Sequence, residues 1–495
     1  MTALNPALDP LLVDALGADL RAAGYTTDGV AEMLGEDANA ALGRGTWWPA
    51  LRATNTADNT RLATLTRLFL LGTDEPAEQV QAAFPATGLA ELAAAGVLDV
   101  GDTVSATLDI RPHSDGERDF FVVSDQDAAL RGTPVTHEHV LGIGGASMSL
   151  ARAVIRTPVQ RALDLGTGCG IQALHLNGHC ADIVGTDTNP RALALAQATA
   201  GINGMSWDLR PGSLFDPAAG ERFDLIVSNP PFVVGAGSQD YIYRDSGVAG
   251  DGLCRTIIEN VGNYLTPGGT AQIMANWIVR EDDWQSRVQE WLAGTGLHAW
   301  VVQRELADPV SYVSLWLADA GESAEQIAQR GADWLDWFDA EGVTGIGMGL
   351  ISLQVPGPGD EPEQILEEIT DEPITGIEVA AFFARRAYLR DTSDEQLLAA
   401  RLSTAPVLLE QHSLPGPDGW QEIGCAVRRP GGPGAVLGVD EVFTALLAGC
   451  RGEVPLGTLI ALLAAHHGVD AEALAEAALP EIREAIGRGI LYQAN

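Results

Sequence analysis

Between residues 155 and 320 short apolar strands alternate with helices, and this alternation narrows the possible folds more than any other feature. RALDLGTG and DIVGTDT read as strands, RALALAQATAGIN as a helix, FDLIVSNPPF as a strand, DGLCRTIIENVGNYL as a helix and TAQIMANWI as a strand. LHAWVVQREL and SYVSLWLAD read as a closing strand pair. Such alternation predicts an α/β core built on a mostly parallel, doubly wound sheet. Ligands on these sheets sit outside the carboxyl ends of the strands, so the chemistry is expected in the segments that follow them.

The first such segment is a glycine loop. An apolar strand reaches Asp164 and Leu165, Gly166-Thr167-Gly168-Cys169-Gly170 turns the chain, and a helix opens near Ile171. Glycines permit the tight turn and let a ligand lie against bare amides. Many strand-to-helix turns need glycine, so the loop alone is also compatible with an ordinary turn. Spacing adds weight. Asp187 ends the next strand, in VGTDTNP, 23 residues (187 − 164) after Asp164. A carboxylate there can accept both hydroxyls of a ribose. The third glycine of the dinucleotide pattern GxGxxG is missing, because Ile171 stands in its place. An acid ahead of the glycines suits a cationic ligand better than a pyrophosphate; Asp164 would favour the ammonium or sulfonium end of S-adenosylmethionine.

The second segment is Ser228-Asn229-Pro230-Pro231-Phe232, at the end of the strand FDLIV. Two prolines stop the strand and remove two backbone donors. The Asn229 side-chain carbonyl and the Pro230 backbone carbonyl are left as acceptors. A planar NH2 group conjugated to a carbonyl or ring is a poor nucleophile because its lone pair is delocalised. Two acceptors on its hydrogens favour the pyramidal form that can attack. Phe232 can stack on a flat substrate and hold it in line. A plain Pro-Pro turn is the alternative.

Taken together, LDLGTGCG, VGTDTNPRALALAQATAGING, GSLFDP and FDLIVSNPPF resemble class I S-adenosylmethionine-dependent methyltransferases, over about a third of the chain. They are most similar to the HemK-like release-factor glutamine N5-methyltransferases. The small-domain rRNA guanine N2-methyltransferases and the N6-adenine methyltransferases share the NPPF type of motif. The resemblance implies a Rossmann-like methyltransferase core with S-adenosylmethionine as cofactor. Its binding residues would be Asp164, Gly166, Thr167, Gly168, Gly170, Asp187, Thr188, Ser213, Leu214 and Asn229. Asn229, Pro230, Pro231 and Phe232 would hold the nucleophilic nitrogen. Ser213 and Leu214 would border the adenine; many relatives carry an acid where Ser213 stands, to accept from the adenine amino group, so here Phe215 or the backbone is expected to take over that one contact. Phe232 replaces the tyrosine usual in the glutamine enzymes and is more frequent in the RNA guanine enzymes. The tetrapeptide therefore leaves the acceptor open.

Charge bears on that choice. The 495 residues carry 67 acids against 29 cations, all arginine, for a formal charge of −38. Every phosphate contact needs a cation, so a protein acceptor is favoured over RNA; a small-molecule acceptor is a further alternative. Length suggests about three domains. These read as a helical, winged-helix-like domain over 1–135, the methyltransferase domain over 136–320, and an α+β domain over 321–495 ending in a helical unit. In the first, Leu11, Leu12, Ala15, Leu16 and Leu20 recur at helical spacing, and DTVSATLDIRPH and RDFFVVSD read as strands joined by HSDGE. PGPGDEPEQILEEITDEP reads as a surface loop or linker. EVFTALLAG and IREAIGRGILY near the end echo TRLFLLG and LAELAAAGVL near the start, either as a second copy of one module or as chance similarity of alanine-rich helices. Five scattered cysteines without a CxxC pair, an N-terminus without a basic region and no apolar run of 18 residues predict a soluble, cytoplasmic protein.

The remaining candidates have plainer readings. His137-Glu138-His139 lacks a visible third ligand, so no metal is expected. The glycine-rich stretch 142–147 is either a linker or a loop closing over the cofactor. Tyr241, Tyr243, Arg244 and Asp245 fall in a loop placed to cover the acceptor. Trp277, Trp284 and Trp291, seven residues apart, read as helix packing. His466-His467, on an apolar helix, read as surface or core fillers, and the basic pairs Arg385-Arg386 and Arg428-Arg429 are too few to suggest an RNA-binding surface.

Overall fold

A computed structural model describes residues 10–127, 136–237, 242–243, 245, 247–318, 324–369, 372–417 and 419–494. The chain divides into two compact units, Met1–Ala151 with Thr157–Leu366, and Arg152–Arg156 with Glu367–Asn495.

The first unit opens with short helices. Pro10–Ala22, Thr27–Leu34, Glu36–Gly43 and Trp48–Thr54 are followed by Thr60–Leu65, Ala77–Ala83 and Leu89–Ala94. Two small antiparallel pairs come next. Strand β1 (Leu98–Val100) pairs with β2 (Val104–Ala106), and β3 (Leu108–Ser114) pairs with β4 (Asp119–Asp125). The second pair is the hairpin expected around HSDGE; Asp115 Oδ1 closes its turn by accepting from the N–H groups of Glu117 and Arg118. This hairpin is pinned to the core helix Pro190–Ile202 and its C-cap. Thr199 Oγ1 accepts from Val123 N, while the Asn203 side chain bonds both N and O of Phe121.

The core is an eight-stranded sheet. Its strands are β5 (Val159–Leu165), β6 (Cys180–Asp187), β7 (Asp208–Pro211), β8 (Phe223–Ser228), β9 (Leu265–Val279), β10 (His298–Ala307), β11 (Gly345–Gln354) and β12 (Gln364–Glu368), in the order β12-β10-β11-β9-β8-β5-β6-β7. Strands β7, β6, β5, β8 and β9 are mutually parallel, with Leu163 beside both Val184 and Ile226. Strand β11 runs antiparallel between β9 and β10. The interior strands read as continuous apolar runs because helices cover both of their faces; Leu225, Ile226 and Val227 are all buried.

Three sequence expectations need correction. SYVSLWLAD is not a strand but the helix Pro309–Ala318. A short apolar run is ambiguous between strand and helix; here Asp308 Oδ1 caps the helix by accepting from Ser311 N, and proline suits the first turn. The strand that completes the closing pair is β11, and the helices Pro309–Ala318 and Ala324–Glu341 lie between it and β10. The sheet thus runs on past residue 320. The acidic stretch read as a linker contributes β12 at the sheet edge. The three tryptophans do pack in the core, but not along one helix. Trp277 lies on β9 and Trp291 on the helix Gln285–Leu292, which Trp284 immediately precedes; Trp277 and Trp284 stack 5.6 Å apart.

The second unit contains the long helix Gly376–Asp391, a sheet of β14 (Leu408–Gly416), β15 (Gly419–Arg428) and β16 (Val436–Val439), and the helices Glu441–Gly449, Leu456–His467 and Ala471–Gly487. Strand β13 (Leu402–Thr404) pairs with β17 (Leu491–Gln493), which follows the last helix. Arg385 and Arg429 share Glu378, and Arg428 binds Glu410 and Glu372, so these arginines are occupied within the unit.

The two ends of the chain share a pattern. Near the start, three helices lead into β1, β1 pairs with β2, and Glu75, between the first two helices, bridges Val104 of the same β2. Near the end, three helices lead into β17, β17 pairs with β13, and Arg451, between the first two helices, bridges Ser403 of β13. The middle strand follows the helices at one end of the chain and precedes them at the other.

Candidate active site

A cavity of about 1060 Å³ opens at the carboxyl ends of β5, β6, β7, β8 and β9, where a doubly wound sheet places its ligand. The glycine loop forms one wall. Gly166 and Gly168 adopt φ of +76° and +55°, and an added Cβ on either would meet nothing within 4 Å. Bare backbone therefore faces open space there, as a cradle for a large ligand requires. Gly170 has another role: at φ +85° it caps the next helix, and a Cβ would sit 2.6 Å from the Trp207 ring. It lets the loop pack closely rather than lining the cavity.

Asp187 ends β6 at the cavity edge. Its Oδ2 accepts from Gly168 N at 2.9 Å and its Oδ1 from Asn189 N at 2.8 Å. These two bonds fix the carboxylate plane, and each oxygen keeps a lone pair. Burial raises its pKa, and the backbone donors act against that rise. Asp164 is placed differently. It is fully buried behind the loop, where its Oδ2 accepts from Thr167 Oγ1 (2.7 Å) and Ala173 N (3.1 Å). Burial pushes its pKa up to about 7. Asp164 holds the loop and the following helix together but does not itself line the cavity. Thr167, Thr188, Ser213 and Leu214 do line it. Leu214 has φ +47°, a left-handed backbone that a leucine adopts only under constraint.

Asn229, Pro230, Pro231 and Phe232 leave β8 into the centre of the cavity. Asn229 Nδ2 donates to Ser147 Oγ at 3.1 Å, while its Oδ1 is buried without a partner. Ser147 in turn is held through its carbonyl by Gln172 Nε2 at 2.7 Å. Ser147 belongs to the glycine-rich stretch before the core: Gly142, Gly144, Gly145, Ala146 and Ser147 all line the cavity, and the helix Gly145–Ala153 starts there. Phe232 meets Trp316 edge to face at 6.2 Å. Tyr243 and Asp245 also reach the cavity, Tyr243 against His139 at 5.6 Å; Tyr241 and Arg244 lie outside the described residues.

Sequence reading missed the residues that hold this tetrapeptide from afar. Tyr312 Oη accepts from Val234 N (2.9 Å) and from Asn276 Nδ2 (3.0 Å), and Trp334 Nε1 donates to Val234 O (3.0 Å). Val234, two residues after Phe232, is thereby pinned at both backbone groups by the two helices inserted between β10 and β11. The aromatic content of those helices was visible, but no local pattern ties them to a loop some 80 to 100 residues away in sequence.

The donor set fits S-adenosylmethionine. The Gly166–Gly168 cradle leaves room for it, and Asp187 presents two oriented acceptors for a ribose.

Residues 142–284 match the family model described as Methyltransferase small domain, and residues 22–107 and 380–493 match two families described as domains of unknown function. A release factor glutamine methyltransferase of Geobacter sulfurreducens is 39% identical over 130 residues, which cover 24% of this chain and 46% of that protein. A ribosomal protein uL3 glutamine methyltransferase of Bradyrhizobium diazoefficiens is 33% identical over 126 residues, 23% of this chain and 40% of the other. A ribosomal RNA small subunit methyltransferase C of Mannheimia succiniciproducens is 36% identical over 116 residues, 23% of this chain and 31% of the other. The chain spans about half or less of the length of these relatives. Within that span fold and family model agree: residues 142–284 form an S-adenosylmethionine-dependent methyltransferase small domain, similar over about a quarter of the chain to glutamine and rRNA methyltransferases.

Proposed function

We propose that the chain transfers a methyl group from S-adenosylmethionine to the side-chain amide nitrogen of a protein glutamine, as a cytoplasmic enzyme. The observation that carries this reading is the state of Asn229. Its Nδ2 is fixed by Ser147 and its Oδ1 is buried and unpartnered in the centre of the cavity, ready to accept from an NH2 group.

When bound, the cofactor supplies a methyl group made electrophilic by its sulfonium. The chain's own work is positional and electrostatic. Asp187 would hold the ribose and Gly166, Thr167 and Gly168 would carry the body of the cofactor, while Ser213 and Leu214 would border the adenine. Asp164 acts from behind, through Thr167 and Ala173. Asn229 Oδ1 and the Pro230 carbonyl accept from the two hydrogens of the acceptor amide, which draws its nitrogen toward a pyramidal geometry. Pro231 keeps the bend rigid, and Phe232 with Trp316 flanks the flat group so that the nitrogen points at the methyl carbon. The acceptor nitrogen would take the methyl group that the bound cofactor supplies, the sulfonium leaving as a neutral thioether, and would then release one proton to water, so no general base is needed beforehand.

A protein acceptor is preferred because the charge of −38 opposes a polyphosphate partner. Among the described residues no helix is long and apolar enough to cross a membrane. The test is tritium transfer from labelled cofactor into a cell lysate, split by protease and by nuclease. Asn229→Ala should abolish transfer while calorimetry shows the cofactor still bound. Nuclease-sensitive label would replace glutamine with an RNA base; full transfer by the Asn229→Ala variant would remove the amide clamp.

A further inference from the structure

Beyond Asn229 the cavity continues along the far half of the sheet. Met274 and Asn276 of β9, Arg304 and Glu305 of β10, Met348 of β11, and Leu315 and Trp316 line it there. The loops that cradle the cofactor leave β5, β6 and β7, on the other side of β8. Strand β10 lies three strand spacings from β8, about 14 Å, so this half belongs to the acceptor.

Arg304 stands out in it. The β10–β11 register passes from Gln303↔Gly349 to Glu305↔Met348, so Arg304 is the extra residue of a β-bulge. Bulges beside active sites re-aim a side chain. Its Nη1 donates to Ser149 Oγ at 3.2 Å, two residues along the helix from the Ser147 that fixes Asn229. Its Nε is buried with no partner. Among the described residues no carboxylate pairs with it, neither the adjacent Glu305 nor any other. Other partly buried arginines are paired: Arg67 with Glu75 at 2.7 Å and Arg287 with Asp251 at 2.6 Å.

We propose that Arg304 is a specificity-determining residue that binds a carboxylate of the acceptor polypeptide, on an aspartate or glutamate close in sequence to the target glutamine; the proposal rests on the glutamine reading above. With Nη1 committed to Ser149, the free edge of the guanidinium is Nε–H and one Nη2–H. That pair is a fork which a carboxylate fills with two parallel bonds, whereas a backbone carbonyl or neutral amide offers a single oxygen. The negative charge of the whole chain does not oppose such contact, because salt screens charges beyond about 8 Å while the guanidinium acts at hydrogen-bond range.

The test uses the full chain with methyl-deuterated cofactor and a cell lysate, and maps the methylated glutamines by mass spectrometry. The expected sites carry Asp or Glu within a few residues. A synthetic peptide copied from such a site should lose at least about tenfold in kcat/KM when that acid is changed to its amide. Arg304→Gln should accept both peptides equally, and Arg304→Lys should restore part of the preference. Circular dichroism and thermal melting of each variant verify that the fold is intact, and calorimetry reads its cofactor binding. Methylated glutamines without a neighbouring acid, or a preference that survives in Arg304→Gln, would overturn the proposal and leave the glutamine activity standing. Loss of cofactor binding in a folded Arg304→Gln would also overturn it, by placing the arginine in the other half of the site. Label confined to RNA, or no labelled glutamine, would remove the glutamine reading itself, and this inference with it.

Discussion

Replacing Tyr312 with phenylalanine tests whether the acceptor clamp is held by the helices inserted between β10 and β11. The substitution removes one oxygen and keeps the ring. That oxygen is the acceptor for Val234 N at 2.9 Å and Asn276 Nδ2 at 3.0 Å, in a fully buried setting. Each buried donor left without a partner costs about 1–3 kcal/mol. Two of them put the destabilisation at about 2–6 kcal/mol, with the lower half applying where a water fills the gap. At about 2 °C per kcal/mol, typical of large units, melting should fall by roughly 4 °C or more. The catalytic effect is separate. Val234 lies two residues from Phe232, and with Tyr312 gone only Trp334 still holds it. A misplacement of about 1 Å at a positioned group can cost up to a hundredfold in rate. Tritium transfer should therefore drop by about 10- to 100-fold, while calorimetric affinity for S-adenosylmethionine stays within about twofold, because the cofactor cradle lies on β5 and β6. A Tyr312→Phe variant that melts with the parent and transfers methyl at the parent rate would show that Tyr312 does not position the clamp.

Two further predictions concern the glycine loop. Gly170→Ala should lower melting well beyond Gly168→Ala, because its Cβ would enter the Trp207 ring at 2.6 Å whereas Gly168 faces open space; cofactor affinity should fall more in Gly168→Ala, and the reverse ranking would mean the two glycines have been assigned the wrong tasks. Asp164, whose pKa burial lifts to about 7, should show a pH signature. Its folded value lies above the unfolded value of about 3.9, so the folded state binds the proton more tightly. Its contribution to stability is full below about pH 4 and is lost as pH rises toward 7. Asp164→Asn does not titrate, so its melting temperature relative to the parent should climb between pH 5 and pH 8; a flat difference would mean that Asp164 ionises as an ordinary carboxyl does.

What could and could not be read from the sequence divides along one physical line. The glycine loop, the Asp187 spacing and the proline bend were legible because each follows from local backbone conformation: positive φ needs glycine, and proline ends a ladder. The parallel strands were legible because burial on two faces leaves continuous apolar runs such as LIV in β8. The misread elements lacked a local signature. SYVSLWLAD is apolar throughout, and only the Asp308 cap distinguishes helix from strand. Asp164 and Gly170 carry the right residue types for a ligand site, yet they act on Thr167, Ala173 and Trp207, partners that a sequence pattern does not name.

The same division separates the chemistry from its target. In the reading proposed above, methyl transfer to a flat nitrogen depends on atoms within the short stretches 164–170, 187 and 229–232. In the same reading the acceptor half rests on Arg304 and Trp316, which line the cavity from a bulge and an inserted helix more than 70 residues further along the chain, and on Tyr312, which acts through Val234. On that reading the tetrapeptide can stay constant while the acceptor changes, and the similarity of this chain to both glutamine and rRNA methyltransferases fits it. Exchanging residues 304–318 between two such enzymes should accordingly move the acceptor preference with the exchanged segment and leave cofactor affinity with the parent core.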